Sequence, residues 1–147
     1  AGFRLYEYTV DNVATYYPRN DVGQDTYRRA VYHQNARAVK VDLLGEYDLP
    51  ECALPAPQRN ITISPLQALT LQNHSFMIDM ARSFAHRLVL ETGTDNIEQQ
   101  VTRAYQLAFA RDPIAEEAAA AHRLIQDFGL VVFCRALYNA NEFIYVH

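Results

Sequence analysis

Acidic side chains crowd a short stretch in the first half of the chain and are its first candidates for chemistry. Asp42, Glu46, Asp48 and Glu51 lie close together in sequence. Carboxylates at this density could hold a hard cation such as Ca²⁺, but the regular ligand alternation and the hinge glycine of a known calcium loop are missing. Asp48 and Glu51 could instead act as a general acid and base, although two carboxylates three residues apart are an unspecific signal. We favour a solvated acidic loop.

An arginine and two asparagines extend this cluster. Arg59 could pair with Asp48 or Glu51, the alternative we favour, or could bind a substrate carboxylate or sulfate through its planar guanidinium. Asn73 falls on a predicted apolar helix stripe, where an unpaired amide would cost roughly 1 to 3 kcal/mol, so it must bond a backbone segment or a bound group. A similar run places Asn141 near the end of the chain. The candidate binding or bracing cluster is therefore Asp48, Glu51, Arg59, Asn73 and Asn141.

The usual signatures of catalysis and of metal or cofactor binding are missing from the sequence. The histidines, His33, His74, His86, His122 and His147, are scattered, without HExxH, CxxC or the CxxCH of covalent haem attachment. No GxSxG, glycine-rich phosphate loop or EF-hand pattern occurs either. We expect no metal site and no cofactor within this chain, assign no catalytic residue, and leave open whether the protein is an enzyme.

Two cysteines leave two alternatives. Cys52, in a proline-rich loop, and Cys134, in a helical pattern, could form a disulfide in an oxidising compartment. Alternatively, Cys134 is a small core residue beside Val131 and Leu137, and this is the alternative that we favour.

Length, charge and hydropathy limit the class of protein. A chain of 147 residues has the size of one domain. The net charge of −4 and the dispersal of the basic residues, apart from Arg28 and Arg29, argue against nucleic-acid binding. No apolar run approaches the roughly 18 residues of a membrane span. Because the sequence begins Ala1-Gly2-Phe3 without an initiator Met, we expect it to be a processed form or a part of a longer protein.

One long helix is predicted over residues 64–93. Ser64 can cap it, Pro65 suits its first turn, and Gln67 completes a capping box. Gly93 ends the pattern after about seven turns. Its predicted apolar stripe is Leu66, Leu69, Phe76, Met80, Phe84 and Leu88.

The amino-terminal third reads as extended and irregular. Residues 3–10 alternate as a strand does, residues 16–23 are rich in turn formers, and residues 27–33 are ambiguous, with strand preferred over helix. A short helix is predicted over 35–45, followed by a proline-rich loop over 46–57. Seven tyrosines fall in this part of the chain. Such rings could stack on sugars, Tyr6, Tyr8, Tyr16 and Tyr17 above all, or could close the edge of a core, which is commoner.

Three further helices are predicted after Gly93. They begin near Asp95, at Pro113 with Asp112 as cap, and near Leu130, and the third continues to Phe143. Their predicted core residues are Ile97, Val101, Tyr105, Ala108, Ile114, Ala118, Ala121, Leu124, Ile125, Phe128, Phe133, Leu137 and Tyr138. Short connections imply antiparallel neighbours. The predicted fold is a single, mainly α domain over 1–147: an extended part over 1–58 that could be two-stranded, and a small antiparallel helical bundle over 59–147.

Several motifs in combination resemble a known family. They are DLPEC at 48–52, SPLQALTLQN at 64–73, FARDP at 109–113 and ALYNANEF at 136–143, with YRRAVYH at 27–33. With them, the chain resembles the carboxy-terminal part of the planctomycete-specific domain-one family, whose function is unknown. Its proline-leucine-glutamine-alanine-leucine motif is often preceded by threonine, for which Ser64 is an equivalent cap.

The resemblance implies a context and supplies no catalytic residues. It implies a large protein exported to the periplasm or cell surface, with preceding domains that include, in many relatives, a c-type cytochrome-like domain carrying haem. We therefore expect a non-enzymatic structural or partner-contact module of a cytochrome-linked redox or polysaccharide-processing protein. The alternatives are an enzyme domain acting on acidic or sulfated polysaccharide, with its site at Asp48, Glu51, Arg59 and Asn73, and a tyrosine-lined glycan-binding module.

Overall fold

The computed structural model describes residues 4, 6–10, 14–19, 23, 26–34, 42–48 and 62–145. The chain divides into two compact units, Ala1–Thr70 with His74–Phe76, and Leu71–Asn73 with Met77–His147. Helices dominate the described residues, which confirms the predicted fold class. The elements in order are β1 Tyr6–Val10, β2 Ala14–Pro18, a 3₁₀ helix Ala30–Tyr32, α1 Asp42–Gly45, α2 Pro65–Asn73, α3 Ser75–Thr92, α4 Ile97–Phe109, α5 Ala115–Phe128, α6 Leu130–Tyr138 and α7 Asn141–Ile144.

An antiparallel hairpin forms the described amino-terminal end of the first unit. β1 lies within the strand predicted over 3–10 and pairs with β2 so that Tyr6 faces Pro18 and Val10 faces Ala14. The prediction of turns over 16–23 was wrong as far as Pro18, because Tyr16 and Tyr17 are good strand formers and pair with β1. Pro18 is the last residue of its strand, where a missing N–H donor is tolerated.

The ambiguous stretch at 27–33 is neither the preferred strand nor an α-helix. Ala30–Tyr32 form one 3₁₀ turn, which the His33 N–H closes by donating to the Ala30 carbonyl at 2.9 Å. The His33 ring packs edge-on against the buried Tyr6 ring, with 6.4 Å between centroids. Of the short helix predicted over 35–45, the structure describes the last turn, α1. Residues 49–61, with most of the proline-rich loop and the proposed boundary at 58, lie outside the described residues.

The predicted long helix is two helices that meet at His74. Its start is confirmed, since Ser64 and Gln67 form the capping box. His74 has extended backbone angles (φ −63°, ψ 136°), and its N–H still donates to the Thr70 carbonyl. The His74 imidazole Nδ1 then accepts the Phe76 N–H at 3.2 Å. The histidine therefore ends α2 and caps α3. This capping competes with the formation of one continuous helix through His74.

The interruption changes which residues face inwards. On α3 the predicted stripe is confirmed for Phe84 and Leu88, which are buried, and α3 ends before Gly93 as predicted. Leu66 and Leu69 on α2 were predicted to face the core, yet they are 57% and 54% exposed. A single stripe over both helices would require one continuous helical phase, which the break removes.

The core of the second unit is built by α3 to α6. Its buried side chains include the predicted Val101, Tyr105, Ala121, Ile125, Phe133 and Leu137. Gln100 was not predicted but is buried, and its amide donates to the Gly93 carbonyl at 2.6 Å, which fixes the turn between α3 and α4. Ile114 and Phe128 were predicted to be core residues, but they are 58% and 68% exposed because each lies at an end of α5.

The ends of the later helices differ from the predictions in detail. The N-cap of α4 is Asn96, whose side chain accepts the Gln99 N–H, so Asp95 lies one residue before it. The cap of α5 is Ile114 in place of Asp112, because the Asp112 carboxylate accepts from Gln106 at 2.8 Å. Gly129 ends α5 as predicted, at φ 89°. The last predicted helix is divided into α6 and α7 around Asn139.

No described helix combines the length and the apolar character that a membrane span requires.

Replacing Leu88 by Ala tests the core of the second unit. Leu88 is fully buried, so its truncation leaves a cavity and should lower the free energy of unfolding by about 2 to 5 kcal/mol. The matched control is Leu90→Ala on the same helix, because Leu90 is 72% exposed and its truncation should change stability by less than about 0.5 kcal/mol. Urea denaturation followed by circular dichroism measures both. Equal losses would contradict the assignment of the core.

Candidate functional site

Asp48, the central member of the predicted cluster, is bound by one threonine. The Thr62 N–H donates to Asp48 Oδ2 at 2.7 Å, and the Thr62 hydroxyl lies 2.9 Å from both carboxylate oxygens. Asp48 itself has a left-handed backbone (φ 51°), which aspartate tolerates better than most residues. The carboxylate therefore ties the turn after α1 to the residues that precede α2.

Gln67 completes this connection. Its amide nitrogen donates to the Glu46 carbonyl at 2.8 Å and to the Thr62 carbonyl at 3.0 Å. Its amide oxygen accepts the Ser64 N–H at 3.1 Å. The Tyr47 hydroxyl donates to the Gln67 backbone carbonyl at 3.0 Å. We call this set, Glu46, Tyr47, Asp48, Thr62, Ser64 and Gln67, the loop clasp.

The loop clasp is an arrangement for bracing. Asp48 receives donors from Thr62 at both oxygens, and the Gln67 amide uses both its nitrogen and its oxygen, so the polar atoms at the clasp's centre satisfy one another. Glu51 and Arg59, the predicted ion-pair partners, lie outside the described residues, and their pairing stays a prediction. Among the described residues, no three His, Cys, Asp or Glu side chains converge as metal ligands would.

Asn73 hydrogen-bonds a side chain within the second unit, whereas the predicted partner was a backbone segment or a bound group. The exposed Asn73 Oδ1 accepts from Arg135 Nη2 at 3.3 Å. The Asn139 side-chain amide donates to the backbone carbonyl of Arg135 at 2.8 Å. Asn141, the second asparagine of the predicted cluster, is the exposed first residue of α7. Asn139, two residues earlier, is the asparagine near the chain end whose side chain bonds the last turn of α6.

The strongest polar network surrounds Arg111, which sequence reasoning treated only as the end of a helix. Arg111 donates to both oxygens of Glu117 and to both of Glu142, each at 2.8 Å. Its guanidinium carbon lies 5.4 Å from the centre of the Tyr105 ring and 5.7 Å from that of Phe109. Arg111 therefore joins the end of α4 to the start of α5 and to α7. Bidentate geometry on both sides makes these strong charge-assisted hydrogen bonds.

The network shifts the titration of its members. Hydrogen bonds from Arg111, with one from the Ile114 N–H, lower the pKa of Glu117 to about 2. Arg111 also lowers the pKa of Glu142, and the two carboxylates together raise the pKa of Arg111. All three groups are charged at neutral pH. A carboxylate of this kind is a poor proton donor or acceptor near neutrality, so the network stabilises the fold and does not supply acid-base chemistry.

Cys134 is a buried free thiol in the core, as in the alternative that we favoured. Burial raises the pKa of Cys134 to about 12, so the thiolate needed for nucleophilic attack does not form at neutral pH. Cys52, its proposed disulfide partner, lies outside the described residues.

A depression of about 390 Å³ lies on the outer side of α4 and the residue before it. It is open to solvent and lined by Asn96, Glu98, Gln99, Thr102, Arg103 and Gln106. None of these residues belongs to the predicted cluster.

Two of the three leucines of α2 are exposed. Leu66 and Leu69 face solvent together with Gln72 and Asn73, whereas Gln67, Thr70 and Leu71 are half-buried. Ile63, just before the cap, is 79% exposed. A surface helix normally turns its apolar stripe to the core and its polar face to water.

Fold and site together define a helical-bundle protein in which two of the candidate residues, Asp48 and Asn73, hydrogen-bond within the chain, and in which α2 exposes two leucines. Residues 3–125 match the PSD1 family, described as a protein of unknown function (DUF1553). The match covers most of the chain, so the chain belongs to this family, as its motifs had suggested. No curated protein and no solved structure matches it. The core residues of α6 and the network residue Glu142 follow the matched part.

Neutralising Glu117 should lower stability in a pH-dependent way. A carboxylate whose pKa is depressed from 4.5 to about 2 contributes stability that is full above pH 4.5 and is lost as the pH falls through 2. Glu117→Gln should therefore lower the melting temperature at pH 7, and its difference from the wild type should shrink towards pH 2. The exposed neighbour Glu116, changed to Gln, is the matched control. Calorimetry across this pH range checks the prediction, and a difference independent of pH would contradict it.

Proposed function

We propose that this chain is a non-enzymatic structural or partner-contact module. The observation that carries the proposal is the bonding of Asp48, the central candidate for acid-base chemistry, whose two oxygens both accept from Thr62. A general base needs a lone pair directed at the substrate. Here one lone pair on each oxygen is directed at Thr62, in a neighbouring segment of the same unit, and the Gln67 amide is bonded likewise.

Partner contact is supported by the exposed face of α2. Large aliphatic side chains exposed side by side lose contact with water when a partner covers them, and this burial is the main driving force of association. The exposed residues Ile63, Leu66 and Leu69 form such a face.

The wider setting of the proposal rests on the family resemblance. We place the module in an exported protein of the periplasm or cell surface that takes part in cytochrome-linked redox chemistry or polysaccharide processing. Its partners are the preceding domains of the same polypeptide, one of which carries c-type haem, and polysaccharide.

Asp48→Asn and Thr62→Val distinguish a brace from a catalytic carboxylate. If Asp48 only braces the loop, each change should lower the free energy of unfolding by about 1 kcal/mol, and the double variant should lose less than the sum, since both remove one interaction. Neither variant nor the wild type should hydrolyse carboxylated or sulfated polysaccharides. Thermal unfolding and a reducing-sugar assay provide the measurements.

The control for this pair is Asp95→Asn, the same change at an exposed loop position. It should leave stability almost unchanged. The enzyme alternative makes the opposite prediction for turnover: activity present in the wild type, retained in Thr62→Val and abolished in Asp48→Asn. That pattern would refute a non-enzymatic module.

A tyrosine-lined glycan-binding surface is the second candidate, favoured by the exposure of rings in the first unit. Tyr17, Tyr27 and Tyr32 are 54%, 49% and 60% exposed, and exposed rings offer faces on which sugars can stack. Of the tyrosines named from the sequence, Tyr17 is exposed and Tyr6 is buried. The side chains of Tyr8 and Tyr16 lie outside the described residues.

Affinity electrophoresis through gels containing algal polysaccharides tests this second candidate. If the rings bind glycan, a gel containing the matching polysaccharide should retard the wild type. The double variant Tyr17→Ala/Tyr32→Ala should show several-fold less retardation. Tyr145→Ala, which removes an exposed ring from the second unit, is the control and should migrate like the wild type. Equal retardation of all three proteins would rule out the tyrosine surface.

A further inference from the structure

Helix α7 is held against the second unit by the side chains of Glu142 and Phe143. It is a single turn over Asn141–Ile144 and has no buried residue. The Glu142 carboxylate accepts two hydrogen bonds from Arg111, each at 2.8 Å, and the centre of the Phe143 ring lies 5.0 Å from that of the Tyr138 ring. One turn of helix is not stable by itself in water, so α7 depends on these side-chain contacts to stay in place.

The backbone before α7 allows the helix to open without disturbing the core. Ala140, which lies between α6 and α7, has extended backbone angles (φ −72°, ψ 138°). Phe143 and Ile144 are 39% and 37% exposed, whereas the buried core of the unit is formed by α3 to α6. Rotation at Ala140 therefore breaks the Glu142 ion pair and the Phe143 ring contact and leaves the core packed. Segments with little buried apolar surface open at the lowest free energy in a protein.

Opening of α7 uncovers a carboxylate site on Arg111. Arg111 keeps both hydrogen bonds to Glu117, and the guanidinium edge that Glu142 occupies becomes free. Two parallel donors on such an edge bind a carboxylate in bidentate geometry. The Tyr138 ring loses Phe143 at the same time and can accept another aromatic ring. The open site therefore selects a segment in which an acidic residue is followed directly by an aromatic residue.

We propose that α7 is a releasable strap that keeps this site closed with its own Glu142 and Phe143, and that a partner segment of the same acidic and aromatic chemistry docks there when the strap is open. The chain tethers α7 at an effective concentration on the order of millimolar, so a free segment competes weakly while the strap is closed. The inference rests on the proposed partner-contact function and deepens it by locating a contact site in the second unit.

Amide hydrogen exchange of the full chain tests the release of the strap. The Tyr145 N–H donates to the Asn141 carbonyl at 2.9 Å, so it should be protected in the wild type, yet it should exchange about a hundredfold faster than the amide of the core residue Leu88. Glu142→Gln should remove most of the protection at Tyr145 and leave the exchange of Leu88 unchanged. The matched control is Glu116→Gln, an exposed carboxylate of α5, which should change neither amide.

Three results of the exchange experiment overturn the proposal. Equal protection of Tyr145 and Leu88 in the wild type would show that α7 opens only when the whole unit unfolds. An unprotected Tyr145 in the wild type would show that the strap is never closed. If Glu142→Gln leaves Tyr145 protected, or speeds the exchange of Leu88 as much as that of Tyr145, the Glu142 ion pair is a general brace.

Peptide binding to the Glu142→Gln variant tests the chemistry of the open site. A fluorescently labelled peptide of residues 140–145, ANEFIY, should bind this variant with a dissociation constant of about 1 mM or lower, and the wild type roughly tenfold more weakly because its own strap competes. The matched control is the same peptide carrying Glu142→Gln, which should bind the variant much more weakly. Equal anisotropy changes with the two peptides, or no binding of either, overturn the docking site. None of these results bears on turnover, which the Asp48→Asn and Thr62→Val variants decide separately.

Discussion

The second unit depends on one arginine. Arg111 follows α4, and its guanidinium bridges Glu117 at the start of α5 and Glu142 in α7 while lying near the rings of Tyr105 and Phe109. A single exposed ion pair contributes little to stability, because side-chain entropy and hydration oppose it. Arg111 makes two bidentate pairs, so the entropy of ordering its side chain is lost only once for four hydrogen bonds. These pairs fix where three helices begin and end around the buried core.

The first unit uses neutral groups and one carboxylate for a similar purpose. Gln67 both caps α2 and bonds the carbonyls of Glu46 and Thr62, while Asp48 binds Thr62. In both units, residues that look chemically capable in the sequence are occupied in holding helix ends.

Local signals in the sequence predicted much of the fold. The Ser64 capping box, Gly93 and Gly129 mark helix ends through backbone geometry, and the apolar periods of α3 to α6 identified Phe84, Leu88, Tyr105 and Phe133 as core. The prediction failed where a side chain competes with the backbone. His74 bonds the Phe76 N–H and divides the long helix, and Asp112 bonds Gln106 and leaves the cap of α5 to Ile114. Periodicity alone contains no information about such competition.

The bracing partners were harder to predict because they are distant in sequence. Asp48 binds a residue 14 positions away, Arg111 one 31 positions away and Asn73 one 62 positions away. Nothing in the spacing of these residues specifies the pairing, which depends on how the elements pack. The exposed leucines of α2 show the same limit of sequence-based prediction for apolar residues. The leucines of this helix have the spacing of a core stripe, yet Leu66 and Leu69 are exposed while the polar Gln67 is half-buried. Apolar residues at helical spacing indicate a face that another element covers. The structure is needed to show whether that element belongs to the same unit.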